Sequence, residues 1–305
     1  MAIITNSTAA FFRRSSDQMA GIRREAERLQ EQISTGDRLT ASSDDPVAAS
    51  RLRSLSRADR LASVNAESAA AAKGNLQLAD STLQTIADDF ARARELTVQA
   101  ASDTLSNSQR ALIGAELEQL HQSLLAAANA AGTDGNPLFA GQAAGPAYTT
   151  DAAGNAVYQG TASAGQIELG EGISVTRGVT GPEIFDFSQN GSPTNMLAFI
   201  KGLADALQGG PADPAADARA ALGGFDEGLE ALTRAQTVIG VRVAWIETLQ
   251  DRQVQTSEAR AQETADTGGV DFASTIAELQ QTLVVLEASQ AGFARMGQLS
   301  LFNSI

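Results

Sequence analysis

His121 is the only histidine in a chain of 305 residues that contains no cysteine. Those two facts remove disulfides, thiolate metal sites and cysteine nucleophiles, and they leave no Ser-His-Asp or His-His constellation to assemble. His121 follows Leu120 on a helical stretch and reads as a lone surface histidine. Carboxylates are plentiful, and a closely spaced pair can do acid–base work. The pair Asp44-Asp45 falls in a helix cap, however, and Asp88-Asp89 falls on an exposed helix face. Gly170-x-Gly172 lacks the third glycine, the preceding strand and the following helix of a phosphate-cradling loop. Asn6-Ser7-Thr8 and Asn190-Gly191-Ser192 match the glycosylation acceptor triplet, a short pattern that chance often produces. The expectation is a protein with no catalytic residues, no cofactor and no metal.

What the residue spacing does support is assembly. Near the N-terminus Met19, Ile22, Ala26, Leu29 and Ile33 recur at steps of three and four. Near the C-terminus Phe272, Ile276, Leu279, Leu283, Leu286 and, beyond a polar Gln290, Phe293 do the same. That is a coiled-coil seam written twice. One amphipathic helix with so narrow a stripe is marginal alone, so the natural cover is the other terminus or a neighbouring copy. A formal net charge of −14 argues against a nucleic-acid partner, because phosphate neutralisation needs a basic face. No apolar run reaches the ~18 residues a membrane span requires, and Met1 to Gln18 hold no apolar run of signal-peptide length. Neither a membrane partner nor a cleavable signal is expected.

The elements that position these stripes can be read in order. A first helix over about Ser7–Ser34 stops at Gly36, which tolerates the left-handed conformation. Asp45 is placed to cap a second helix with Pro46 at its first position, where a missing N–H costs nothing. That helix runs to about Ala101 through Leu52, Leu55, Ala62, Ala66, Ala69, Leu76, Ala79, Leu83, Ile86, Phe90 and Ala93, with Asp59 and Lys73 weakening the seam and leaving room for a break in its middle. A third spans about Ser106–Ala131. From Gly132 to about Ser192 glycines crowd in and helical periodicity disappears. Two hairpins are expected there, one turning at Asp151–Asn155 and one at Gly170-Glu171-Gly172. Helix resumes near Met196, pauses at Gly209-Gly210-Pro211, and continues through Leu222, Phe225, Leu229, Leu232, Ile239, Val243 and Ile246 until Gly268-Gly269.

The expected fold class is therefore mainly α. A long-helix bundle rod carries discontinuous N- and C-terminal coiled-coil segments and a small inserted β domain. The expected domains are 1–40 with 268–305 as the polymerisation unit, 41–134 with 193–267 as the rod, and 135–192 as the β-rich insertion. Outer helices pair with outer and inner with inner. The slim terminal pair is expected to gain its order on assembly.

Individual residues now become recognisable. Gln32-Ile33-Ser34-Thr35-Gly36-Asp37-Arg38-Leu39, followed by Ala41-Ser42-Ser43-Asp44-Asp45-Pro46-Val47-Ala48-Ala49-Ser50, closely resembles the N-terminal signature of the bacterial flagellin family. Within it the chain looks most like the members that join hook to filament. Flagellins usually carry Ala where Pro46 stands and end in a Leu-Leu-Arg type tail, whereas this chain ends Leu299-Ser300-Leu301-Phe302-Asn303-Ser304-Ile305. Asn136-Pro137-Leu138-Phe139-Ala140-Gly141 and Tyr158-Gln159-Gly160 are similar to the family's passage into its β domain.

The resemblance implies a structural subunit of the hook–filament junction, exported unfolded through the flagellar type III channel and placed extracellularly in the flagellum. Its implied partners are neighbouring copies of itself, a hook-side junction protein, flagellin, and a cytoplasmic export chaperone docking on the C-terminal helix. The chaperone surface would be Ile276, Leu279, Leu283, Leu286 and Phe293. Two other roles fit the same architecture: a flagellin that polymerises into the filament itself, and a type III secreted tip or translocator protein. The Asp-Asp-Pro cap and the Phe302 tail argue against the second.

Overall fold

The computed structural model describes residues 2–170, 172–209 and 213–302, with side chains over 10–170, 172–209 and 213–296. The expected hairpin tip at Glu171, the loop at Gly210-Pro211 and the tail side chains from Leu299 to Ile305 lie outside the described residues. Helices dominate: α1 (Ala2–Thr35), α2 (Pro46–Ala100), α3 (Asn107–Ala128), α4 (Gly181–Phe185), α5 (Met196–Gly209), α6 (Pro214–Gly268) and α7 (Phe272–Phe302). Strands β1 (Tyr148–Thr150), β2 (Ala156–Tyr158), β3 (Gln166–Glu168), β4 (Ser174–Thr176), β5 (Asp186–Gln189) and β6 (Ser192–Asn195) form three antiparallel pairs in chain order. The fold is thus mainly α with a small inserted β region. Contacts divide the chain into two compact units, one of Met1–Arg60 with Thr256–Ile305 and one of Leu61–Gln255.

The larger unit has its core where the heptads predicted it. Leu76, Leu83, Ile86 and Phe90 of α2, Leu117 and Leu124 of α3, Leu197 and Ile200 of α5, and Phe225, Leu232, Ile239 and Ile246 of α6 are all buried. Phe90 anchors an aromatic cluster, with ring centroids 4.9 Å from Phe225 and 6.2 Å from Phe199. Gly228 makes room for it, since a Cβ there would lie 2.6 Å from the Phe90 ring. Helix α3 starts on a reciprocal capping box, in which Ser106 and Gln109 each accept from the other's backbone N–H.

The helices depart from the expectation in several places: α1 begins at Ala2, five residues before the expected start, and the short α4 lies in the stretch expected to hold only hairpins. The seam charges of α2 open no break, and the helix runs unbroken for 55 residues. The reason is that both seam charges meet opposite charges: Asp59 accepts from Arg260 Nε at 2.6 Å, and Lys73 lies 2.7 Å from Glu247. His121 is fully buried rather than on the surface. The buried stripe of α3 runs Gly114, Leu117, His121, Leu124, Ala128, so the histidine occupies a regular inward position between two leucines.

The β region contains more than was expected. Asp151 organises the β1–β2 turn by accepting from the backbone of Ala153 and Asn155, both at 2.8 Å, and Tyr148 pairs across to Tyr158. In the second pair Ile167 faces Val175. The hairpin of β5 and β6 was not foreseen, although its two-residue turn is Asn190 (φ 51°) and Gly191 (φ 77°), the residues that adopt positive φ most readily. The same Asn190-Gly191 pair forms part of the glycosylation triplet.

Candidate assembly surface

The candidate surface is carried by α1 and α7 in the smaller unit, and a polar turn sets their alignment. Gly36 takes φ +79° and closes α1 with its N–H on Gln32 O at 2.9 Å. Val270 N then donates to Gly36 O at 2.9 Å, and Arg38 N donates to Gly268 O at 2.7 Å, so the two chain segments zip together over a few residues. Gln32 is buried and gives its side-chain amide to Arg38 O. Arg38 in turn reaches Thr267 O at 3.0 Å and Asp45 at 3.3 Å.

Two aspartates cap the flanking helices. Asp45 accepts from Ala48 N at 3.0 Å at the start of α2, where Pro46 holds the first helical position. That amide, with Arg38 beside it, keeps the Asp45 carboxyl below its usual range. Asp44 is lowered in the same way by Ala41 N, aided by the Thr40 hydroxyl and N–H. Asp271 accepts from Ala273 N at 3.0 Å at the start of α7. Arg51 binds Glu263 through Nε at 2.5 Å and Nη2 at 2.8 Å, tying the start of α2 to the end of α6.

From that turn α1 and α7 run antiparallel, and at the far end Phe12 packs edge-on against Phe293 with centroids 5.2 Å apart. The N-terminal seam behaves as one stripe: Ala26 and Leu29 are buried, while Met19, Ile22 and Ile33 are half-buried. The C-terminal seam does not. Leu279, Leu286 and Phe293 are half-buried, alternating with Thr275, Thr282 and Ser289 at the same three- and four-residue steps. Phe272, Ile276 and Leu283 stay 51%, 41% and 48% exposed, as do Val284 (65%), Val285 (46%) and Met296 (41%).

At 100° per residue, Ile276 and Leu283 fall on one flank of α7 and Val285 and Met296 on the other. Along the second flank runs an open groove of about 1000 Å³ between the two helices, to which Phe11, Met19, Ile22 and Leu29 contribute from α1. The sequence reading missed the small polar residues that complete the internal seam, because a search for apolar repeats passes over Thr and Ser. It also missed Phe12, which continues the α1 spacing back by one heptad from Met19. Such a surface can bind a helix or another copy. Among the described residues no three His, Asp or Glu side chains gather as a metal site, and no helix is long and apolar enough to cross a membrane.

Comparison with known proteins places this architecture among flagellar components. The pattern of the bacterial flagellin N-terminal helical region matches residues 3–144. Flagellar hook-associated protein 3 of Escherichia coli strain K12 is 30% identical over 289 residues, covering 90% of each chain. The protein of the same name from Salmonella typhimurium is 26% identical over 314 residues, covering 97% of this chain and 98% of its own. In fold, the chain is similar to the flagellar junction protein FlgL of Legionella pneumophila, with a TM-score of 0.58 at 15% identity over 71% of this chain and 99% of that one.

Proposed function

The chain belongs to the flagellar hook-associated protein 3 family of the bacterial flagellins, and from that membership we propose that it is a structural subunit of the junction between flagellar hook and filament. The relatives' length and alignment support this reading, since both curated relatives match this chain nearly end to end. The subunit associates with copies of itself and with neighbouring flagellar proteins, a hook-side junction protein on one side and flagellin on the other. It carries no enzymatic activity in this role. Its location is the extracellular flagellum, reached by type III export.

The observation that carries the assembly mode is the exposed half of the α7 seam. Fully burying one Leu, Ile, Val or Met side chain is worth about 1.5–3 kcal/mol. Ile276, Leu283, Val284, Val285 and Met296 leave much of that unrealised in the single chain. Neighbouring copies in the junction cover these side chains, and in the cytoplasm an export chaperone covers the C-terminal helix by accepting its apolar face in a groove.

Deleting the gene and examining cells and medium tests the assignment. Hooks without filaments, with flagellin released into the medium, are expected. Normal hooks and junctions bearing filaments of altered length or composition would make the protein a filament flagellin instead. Chains lacking residues 1–35 or 269–305 should remain helical and soluble but fail to restore filaments.

A further inference from the structure

Away from the assembly surface, the larger unit buries an ionisable group that the structural role does not use. His121 has no exposed surface, and neither ring nitrogen has a hydrogen-bond partner. It sits where α3 packs on α5, inside the stripe shared with Leu117 and Leu124. Glu118, one turn earlier, places Oε1 3.8 Å from Nδ1, beyond hydrogen-bonding distance, and its Oε2 also lacks a hydrogen-bond partner. From α5 the facing charges are Lys201, 3.8 Å from Glu118 Oε2, and Asp205, which accepts from Lys201 at 2.5 Å. From α2 the ionisable groups on this side are already engaged, Asp89 with the Ser123 hydroxyl at 2.7 Å and Arg92 with Glu116 at 2.9 Å. An imidazolium formed at His121 thus finds no bonded anion, and the carboxylates near it, Glu118 and Asp205, both already face the Lys201 ammonium.

We propose that His121 is an acid-sensitive latch in the α3–α5 layer, holding the two helices together as a neutral ring and loosening them when it takes up a proton. An unsatisfied His121 beside a half-satisfied Glu118 is a poor core solution by packing alone. An apolar residue at this position would fill the stripe with no polar cost, so the histidine gives the layer a response that packing does not require. Burial lowers the pKa of His121, outweighing the opposing pull of Glu118. With a folded value below that of the unfolded chain, the unfolded state binds the extra proton first. The stabilisation is therefore present above about pH 6.5 and is lost as pH falls through the folded value. Each unit of depression becomes a tenfold drop in the folding equilibrium constant once pH is below both values.

A single histidine makes the test direct. Its Hε1 resonance in the full-length chain is followed from pH 8 to 4.5, and urea unfolding is measured at pH 7.5 and 5.0 by the fluorescence of Trp245. The expected result is a titration midpoint below 6.5, together with at least a several-fold loss of folding equilibrium at pH 5.0 that His121→Leu does not show. If His121→Leu does not fold, Glu118→Gln decides. With the neighbouring anion removed, the His121 midpoint moves lower still, and the acid loss of folding equilibrium still sets in near pH 6.5 but extends to lower pH and grows larger. A midpoint at or above 6.5, an equal acid loss in His121→Leu, or a midpoint unmoved by Glu118→Gln overturns the proposal.

Discussion

Phe12 and Phe293 meet edge to face, their ring planes at 90° and their centroids 5.2 Å apart, although 280 residues of chain separate them. The contact closes the end of the α1–α7 pair opposite the turn at Gly36 and Val270, so the pair is pinned at two points and in register between them. A geometry of this kind contributes about 0.5–1.5 kcal/mol beyond the area it buries.

That contact can be measured by a double-mutant cycle. Phe12→Leu and Phe293→Leu should each raise amide hydrogen exchange in α1 and α7, with a coupling of about 0.5–1.5 kcal/mol between them. Strictly additive effects would mean that the rings do not hold the helices together.

The split of the C-terminal seam separates two kinds of substitution. Leu29 is only 2% exposed, so Leu29→Ala should cost about 2–5 kcal/mol in the local stability of the pair. Leu283, half exposed, should tolerate Ser within about 0.5 kcal/mol in the single chain and yet fail to restore motility to the deletion strain. Normal swimming with Leu283→Ser would remove this flank from the assembly interface.

In the larger unit, Phe90→Ala removes the centre of the aromatic cluster and should cost about 3–5 kcal/mol, seen as a lowered thermal midpoint. Gly228→Ala should act by the opposite route, overpacking the same ring at a cost of about 1–3 kcal/mol. Its effect should shrink in a Phe90→Leu background, where the ring that would collide with the new methyl is gone.

Acid should loosen the polar turn at Asp44 and Asp45. Both folded pKa values are lowered, chiefly by backbone amides, so their contribution is present above the unfolded value of about 3.9 and is lost as pH falls through the folded values. Asp45→Ala should therefore be less stable than the parent at pH 6, with the gap closing as pH falls from about 3.9 through the lowered folded value. A pH-independent gap would show that Asp45 acts through packing and not as a charged cap.

Much of the fold was legible because helices are local. Three- and four-residue spacing marked α1, α2, α3, α6 and α7, and Gly36, Asp45 and Pro46 placed the stops and starts to within a residue or two. The β insertion was harder to read, since its strands are three or four residues long and depend on turns more than on periodicity. Asn190-Gly191 carries a strong turn signal and Phe185-Asp186-Phe187-Ser188 alternates before it, but Ser192-Pro193-Thr194-Asn195 after it has no apolar alternation to mark the partner strand.

The sequence by itself determined that this chain is a set of long amphipathic helices with matching stripes at its two ends, because side-chain periodicity follows from 3.6 residues per turn whatever the helix meets. It could not determine which partner covers each stripe. Only the tertiary structure decided that α7 turns Leu279, Leu286 and Phe293 inward between Thr275, Thr282 and Ser289 and leaves Ile276 and Leu283 outside. It likewise decided that His121 is buried and that Asp59 and Lys73 find partners on α6. Burial and charge pairing are properties of two surfaces brought together, and the angle at which one helix meets another is set by packing that no single helix encodes.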